Sequence, residues 1–216
     1  MVESMMHTSL ERPRSRKSSG ARGARYAKGD ARREEILRGV TDLIVREGYR
    51  RQSLREIGAA LSIEPAHILY YFASREDLLQ RVIELWDRDS IASLSKDADV
   101  PPSLDLFVAA VRRNCEAPGI GLLFLAFATE AADRAHPAHD FFRRRVSRIH
   151  ADLSKAIRRE QAQGAIHTAV DAQLTARQLM ALADGLQLQA STGAPIDVVS
   201  DLKMTIGDLR RRTLRG

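Results

Sequence analysis

One cysteine, Cys115, is present in the 216-residue chain. A lone thiol excludes an intramolecular disulfide and suits a reducing cytoplasm, so stability must come from a packed core. Aromatic residues make up 5% of the chain, with Trp86 the single tryptophan. No apolar run approaches the ~18 residues of a membrane span, which argues against a membrane partner. The first residues lack the apolar stretch of a secretory signal. They share the Arg- and Ser-rich, acid-poor character of an organelle transit peptide but have no amphipathic face, and a transit peptide is set aside. Alternating apolar and polar runs and hairpin dipeptides are scarce, which speaks against β-structure. Neither a phosphate-cradling glycine loop nor a Ser-His-Asp order is present, so no enzyme and no cofactor are expected. What remains is long stretches of Ala, Leu, Arg, Glu and Gln, the composition of an all-α protein large enough to bury a substantial core.

The charge is unevenly distributed. Residues 1–33 hold nine Lys or Arg against three acids, which accounts for the whole formal excess of +6. With Ser, Gly and Pro interspersed and almost no large apolar residue, residues 1–29 are expected to be a basic flexible arm. Two roles stay open for it: lying along phosphates or in a minor groove, or being a solvated tail.

The most informative segment follows. Ser53 and Glu56 form an S-x-x-E capping box, which predicts a helix from about Leu54. Leu54, Ile57, Gly58 and Leu61 then recur at i, i+3, i+4 and i+7. Ser62, Ile63 and Glu64 make a turn, and Pro65 suits the first position of a second, short helix. In that helix Ile68 and Phe72 face inward, which turns Pro65, Ala66, Leu69 and Tyr70 outward, with His67 and Tyr71 on the flanks. Ser74 and Asp77 mark the next helix start. Upstream, Ile36, Leu37, Val40, Leu43 and Ile44 form an apolar helical stripe, with Gly48 placed as a left-handed cap. Two short helices joined by a tight turn are a device for presenting one helix to a DNA major groove.

From Arg33 to Leu79, through RREEILRGVTDLIVREGYRRQSLREIGAALSI and LYYFASREDLL, the chain resembles the N-terminal DNA-binding domain of the TetR family of bacterial transcriptional regulators. Glu64 departs from the family's small hydroxyl cap, and Leu69 from its DNA-facing tyrosine. The resemblance implies a helix-turn-helix domain over 30–77 and a larger helical ligand-binding and dimerisation domain over 78–216. It also implies a bacterial cytoplasmic regulator, usually a repressor, with a double-stranded DNA operator and a small-molecule effector as partners. Ser53, at a helix N-terminus, is expected at a phosphate. Tyr71 and Arg75 are expected at phosphates by family position, and Arg55 at the backbone or Glu64. Pro65, Ala66, His67, Leu69 and Tyr70 are expected to meet base edges. The other class considered is an architectural DNA binder held by the basic arm with little sequence preference.

Beyond Leu79, further amphipathic helices are expected to the Pro101–Pro102 break, over about Leu104–Glu116, over Ile120–Ala132, from after Pro137 to Gly164, over Ala172–Thr192 and from Ile196 to about Arg212. Phe142, Val146, Ile149, Leu153 and Ile157 give the long helix its apolar stripe, while Arg143, Arg144, Arg145 and Arg148 are expected on its solvated face. His136 and His139, with Asp133 and Asp140, have metal-like spacing, but Pro137 among them implies a helix start where such residues cap. In the family the last two helices pair with those of a second subunit. Here that implies a homodimer through Leu179, Leu182, Leu186, Val199, Leu202 and Ile206, with Ala183, Gly185 and Ala190 permitting close approach. Periodicity alone does not separate such a face from the core of one subunit. Trp86, Phe107, Phe124 and Phe127, with Asn114, Glu130, Asp184 and Gln187 as polar contacts, are the candidate lining of an effector pocket suited to a hydrophobic ligand. Each aromatic serves equally well as plain core.

Overall fold

The computed structural model describes residues 19–94 and 101–212, with side chains described over 29–93 and 101–211. All regular structure among the described residues is helical: α1 (Ser19–Glu47), α2 (Leu54–Leu61), α3 (Pro65–Tyr71), α4 (Arg75–Leu94), α5 (Leu104–Glu116), α6 (Pro118–Glu130), α7 (His139–Ala162), α8 (Ala172–Ser191) and α9 (Val198–Arg212). None of these helices is long and apolar enough to cross a membrane. The chain divides into two compact units, Met1–Glu35 and Ile36–Gly216. In the first, α1 begins at Ser19, inside the stretch expected to be a flexible arm, and Arg32 pairs with Glu35 at 2.6 Å, one turn away. The rest of that expected arm lies outside the described residues.

Within the second unit, local chemistry sets the helix ends. α1 stops where Gly48 adopts φ +81°, its N–H returning to the Ile44 carbonyl at 2.9 Å. Ser53 accepts from the Glu56 N–H at 3.3 Å while the Glu56 carboxylate takes the Ser53 N–H at 2.7 Å, closing the capping box of α2. The same backbone N–H holds the Glu56 carboxyl below its usual range. Ser62 then turns left-handed, and a Cβ at Gly58 would collide with the Ile63 carbonyl oxygen. Only glycine lets this turn close. Pro65 opens α3 from Glu64, which offers no side-chain cap. Ser74 Oγ accepts the Asp77 N–H, and Asp77 takes the Ala73 N–H, both at 3.1 Å, to start α4.

Two expected starts shift for the same kind of reason. α6 begins at Pro118, a residue suited to the first helical position. α9 begins after Asp197, which accepts from the Val199 and Ser200 N–H groups at 3.0 Å and leaves Ile196 outside.

Two apolar clusters form. The first joins Ile36, Val40 and Ile44 of α1 with Ile57, Ile68 and Phe72, then Leu78 and Val82 of α4, and continues into Ile120, Leu123 and Phe127 of α6. The DNA-binding fold is thus seated on the body through shared core. The second unites Leu104 and Val108 of α5, Leu153 and Ile157 of α7, Leu179 and Leu186 of α8, and Leu202 and Ile206 of α9. Val146 leaves the expected stripe of α7 and is 49% exposed, because that part of the helix borders a cavity.

Candidate functional site

The first candidate site is the outer surface of α2 and α3. Ile68 and Phe72 are fully buried, which fixes the rotation of α3. Consequently Leu69 is 48% and Tyr70 80% exposed, with Ala66 and His67 also outward and Pro65 half-buried. Exposed apolar side chains on so short a helix cost solvation unless a partner covers them. Tyr71 is half-buried, stacked on His67 with ring centroids 5.5 Å apart and set edge-on to Tyr70 at 4.9 Å. The aromatic face is therefore pre-ordered. Ser53 and Arg55 are exposed beside it, and Arg55 forms no ion pair with Glu64.

Arg75 does not belong to that exposed set. Its Nε donates to the Gln52 carbonyl at 2.7 Å and its Nη2 to Tyr49 Oη at 2.9 Å, with Glu76 at 3.4 Å. The side chain keeps 19% of its exposure. Its donors tie the start of α4 to the loop before α2, so much of its hydrogen-bonding capacity is turned inward.

The second candidate site is a cavity of about 370 Å³, a size suited to a small molecule. Three helices line it with the same spacing, i, i+3, i+4, i+7. α5 supplies Phe107, Ala110, Val111 and Asn114; α8 supplies Met180, Ala183, Asp184 and Gln187; α7 supplies Arg145, Arg148, Ile149 and Asp152. Asp87 and Ile91 of α4 and Phe124 of α6 also line it. Five expected pocket residues thus meet here: Phe107, Asn114, Phe124, Asp184 and Gln187.

Three expected pocket residues do not line it. Phe127 is fully buried, edge-on to Phe142 and His136, because α6 turns it into the first core. Trp86 donates from Nε1 to Asn114 Oδ1 at 2.8 Å and lies under Arg113, whose guanidinium is 4.0 Å from the ring centre. It orients a lining residue without being one. Glu130 also points elsewhere, pairing with Arg51 at 3.1 Å.

Sequence reasoning missed the charged members other than Asp184, namely Asp87, Arg145, Arg148 and Asp152. Arg145, expected in solvent, is 13% exposed and meets Asp87 through two 2.9 Å hydrogen bonds while lying 4.4 Å from the Phe124 ring centre. Arg148 reaches the same carboxylate at 3.1 Å. Their i, i+3, i+7 spacing with Asp152 was the available signal. The wall is mainly apolar, and beside its aromatic and aliphatic side chains it carries three carboxylates and two guanidinia. Asp184 is exposed to the space within the cavity yet flanked by protein, and this burial pushes its carboxyl above the ordinary range, with Arg145 offsetting part of the effect.

Most residues expected at a dimer interface lie in the subunit core. Leu179, Leu202 and Ile206 are at most 2% exposed and Leu186 9%, while Leu182 and Val199 are partly buried against them. α5 and α7 cover that side of α8 and α9. The opposite side carries Leu174, Leu188 and Met204, between 46% and 56% exposed, and a Cβ at Gly185 would meet open space.

His136, His139 and His150 each contact the backbone. His136 Nδ1 lies 3.2 Å from the Ala138 nitrogen and His139 Nδ1 2.9 Å from the Ala131 oxygen, and no group of metal-ligating side chains occurs among the described residues. His150 Nε2 lies 2.9 Å from the Gln173 oxygen, between α7 and α8.

Residues 36–82 match the family profile described as "Bacterial regulatory proteins, tetR family", and residues 106–201 that described as "BetI-type transcriptional repressor, C-terminal". A search of curated proteins returned no match. Among solved structures, a putative TetR-family transcriptional regulator from Rhodococcus sp. is 21% identical, with 83% of this chain and 99% of that chain covered and a TM-score of 0.67. A TetR transcription regulator from Haloarcula marismortui is 20% identical, with 85% and 98% covered and a TM-score of 0.69. A putative transcriptional regulator from Saccharomonospora viridis in complex with choline is 26% identical, with 83% and 95% covered and a TM-score of 0.61. With both its helix-turn-helix and its helical body matched, the chain belongs to the TetR family of transcriptional regulators.

Proposed function

We propose that the protein is a repressor that binds a palindromic operator as a homodimer and leaves it when a small molecule enters the cavity bounded by α4, α5, α7 and α8. The observation that carries this proposal is the course of α4. Its first residue, Arg75, holds the loop before α2, and about three turns further on Asp87 stands in the cavity wall. One helix therefore touches both the DNA-reading fold and the ligand space. A ligand that prefers one setting of α4 shifts the spacing of the two reading heads in a dimer, whereas one that binds both settings equally changes nothing.

Tyr70 and Leu69 supply apolar contact to base edges, such as a thymine methyl, and Ser53, Arg55 and Tyr71 hold the backbone. The outer face of α8 and α9, with Leu174, Leu188 and Met204, joins the subunits. A reading helix of this size covers little DNA, which is why two half-sites are read together.

Selection of bound duplexes from a random DNA pool tests the proposal. The expected result is an inverted repeat with half-sites set by one two-fold dimer. Steeply salt-dependent binding with no enriched sequence would instead identify an architectural DNA binder.

A further inference from the structure

The cavity's charges are not all paired. Arg145 directs both Nε and Nη2 to Asp87 and lies over Phe124, and Arg148 is drawn to the same carboxylate. Asp184 on α8 and Asp152 on α7 line the same space and make no hydrogen bond or ion pair among the described residues. Phe107, Ile91 and Met180 supply apolar wall.

We propose that this cavity takes an organic cation, with the positive centre beside Asp184 and Asp152 and the apolar part against Phe107 and Met180. The proposal rests on the cavity being the effector site and adds the chemical class of the effector. Three ligand classes compete for such a wall. An anion would face two unpaired carboxylates, and with the fork of Arg145 already engaged by Asp87 it could reach only the remaining donors of half-exposed Arg148, which themselves stand beside that carboxylate. A neutral apolar molecule would cover the Asp184 carboxylate and leave it without water or partner, which is costly. A cation supplies the missing counter-charge, and the face of Phe107 adds to its attraction. The raised carboxyl of Asp184 fits a group waiting for such a partner.

Calorimetry on the full chain with three aromatic probes of similar shape tests this: benzyltrimethylammonium, benzyl alcohol and phenylacetate. The expected order places the cation at least about tenfold tighter than the alcohol, the size of one charge-assisted contact, with the anion weakest. Asp184→Asn should abolish the preference for the cation over the alcohol, Asp184→Glu should retain part of it, and circular dichroism should show all variants equally helical. Equal binding of cation and alcohol, tightest binding of phenylacetate, or no binding of any probe would overturn the proposal. Operator selection on the ligand-free protein is a separate measurement, so failure of the cation leaves the DNA-binding function standing, and failure to find an operator leaves the cavity's charge preference intact.

Discussion

Arg145 on α7 grips Asp87 on α4 through two parallel hydrogen bonds, Nε to Oδ2 and Nη2 to Oδ1, each 2.9 Å long. The pair joins helices whose partners are 58 residues apart in sequence, with side chains 13% and 21% exposed. Asp87→Asn removes the counter-charge from both Arg145 and Arg148. The expected cost is about 2 kcal/mol, roughly 4–8 °C in Tm for a chain of this size. Combining it with Arg145→Gln should cost less than the sum of the two, since the second change deletes the cation the first left stranded. Thermal unfolding of the three variants checks this; strict additivity would show that the pair is not coupled.

Tyr70 and Arg75 should separate in a way their sequence neighbourhood does not suggest. Tyr70 is 80% exposed, so Tyr70→Ala should leave stability within ~0.5 kcal/mol while relaxing sequence preference at one operator position. Arg75→Ala strands the Gln52 carbonyl and the hydroxyl of buried Tyr49, and should lower stability by about 1–3 kcal/mol as well as weakening every operator alike. Unfolding curves read beside binding to operator variants decide it. An unchanged Tm for Arg75→Ala would assign Arg75 to direct phosphate contact.

The helix-turn-helix was legible because its signals are local. The Ser53–Glu56 box, the Pro65 start and the Gly48 cap each act within four residues, and the structure contains all three. The cavity was only half legible. Along α7 the apolar stripe through Phe142, Val146, Ile149 and Leu153 and the polar stripe through Arg145, Arg148 and Asp152 obey the same helical period and lie side by side. Which one turns toward α4 is decided by Asp87, a distant residue that no window on α7 contains. α8 poses the same ambiguity. Leu179, Ala183 and Leu186 form one stripe and Leu174, Ala181 and Leu188 another, and only the packing of α5 and α7 tells which is core.

Gly119 should prove intolerant of any side chain. It stands in the first turn of α6, and a Cβ there would overlap the Ile44 carbonyl oxygen and press on the Gly48 Cα, both backbone atoms at the end of α1. Neither can rotate away as a side chain would. Gly119→Ala must therefore part α6 from α1, at an expected cost of about 1–3 kcal/mol. Hydrogen exchange should report the loss at the C-terminal turn of α1, where the Gly48 amide is bonded to Ile44. Gly185→Ala, with open space around its Cβ, serves as the contrasting helix glycine in the isolated subunit.

The two faces of α8 and α9 predict opposite failures. Leu202 is fully buried among α5, α7 and α8, so Leu202→Ala should cost about 2–5 kcal/mol and lower Tm. Leu188 and Met204 are 52% and 56% exposed in the single subunit, and glutamate at both positions should leave the subunit folded. Two carboxylates on a face that must lose its water on association would however block pairing, because each would be buried without a partner. Sedimentation should then show a helical monomer, and operator affinity should fall to that of one half-site, since a single reading helix covers too little DNA to bind tightly. A dimer that survives both glutamates would place the subunit contact on another surface.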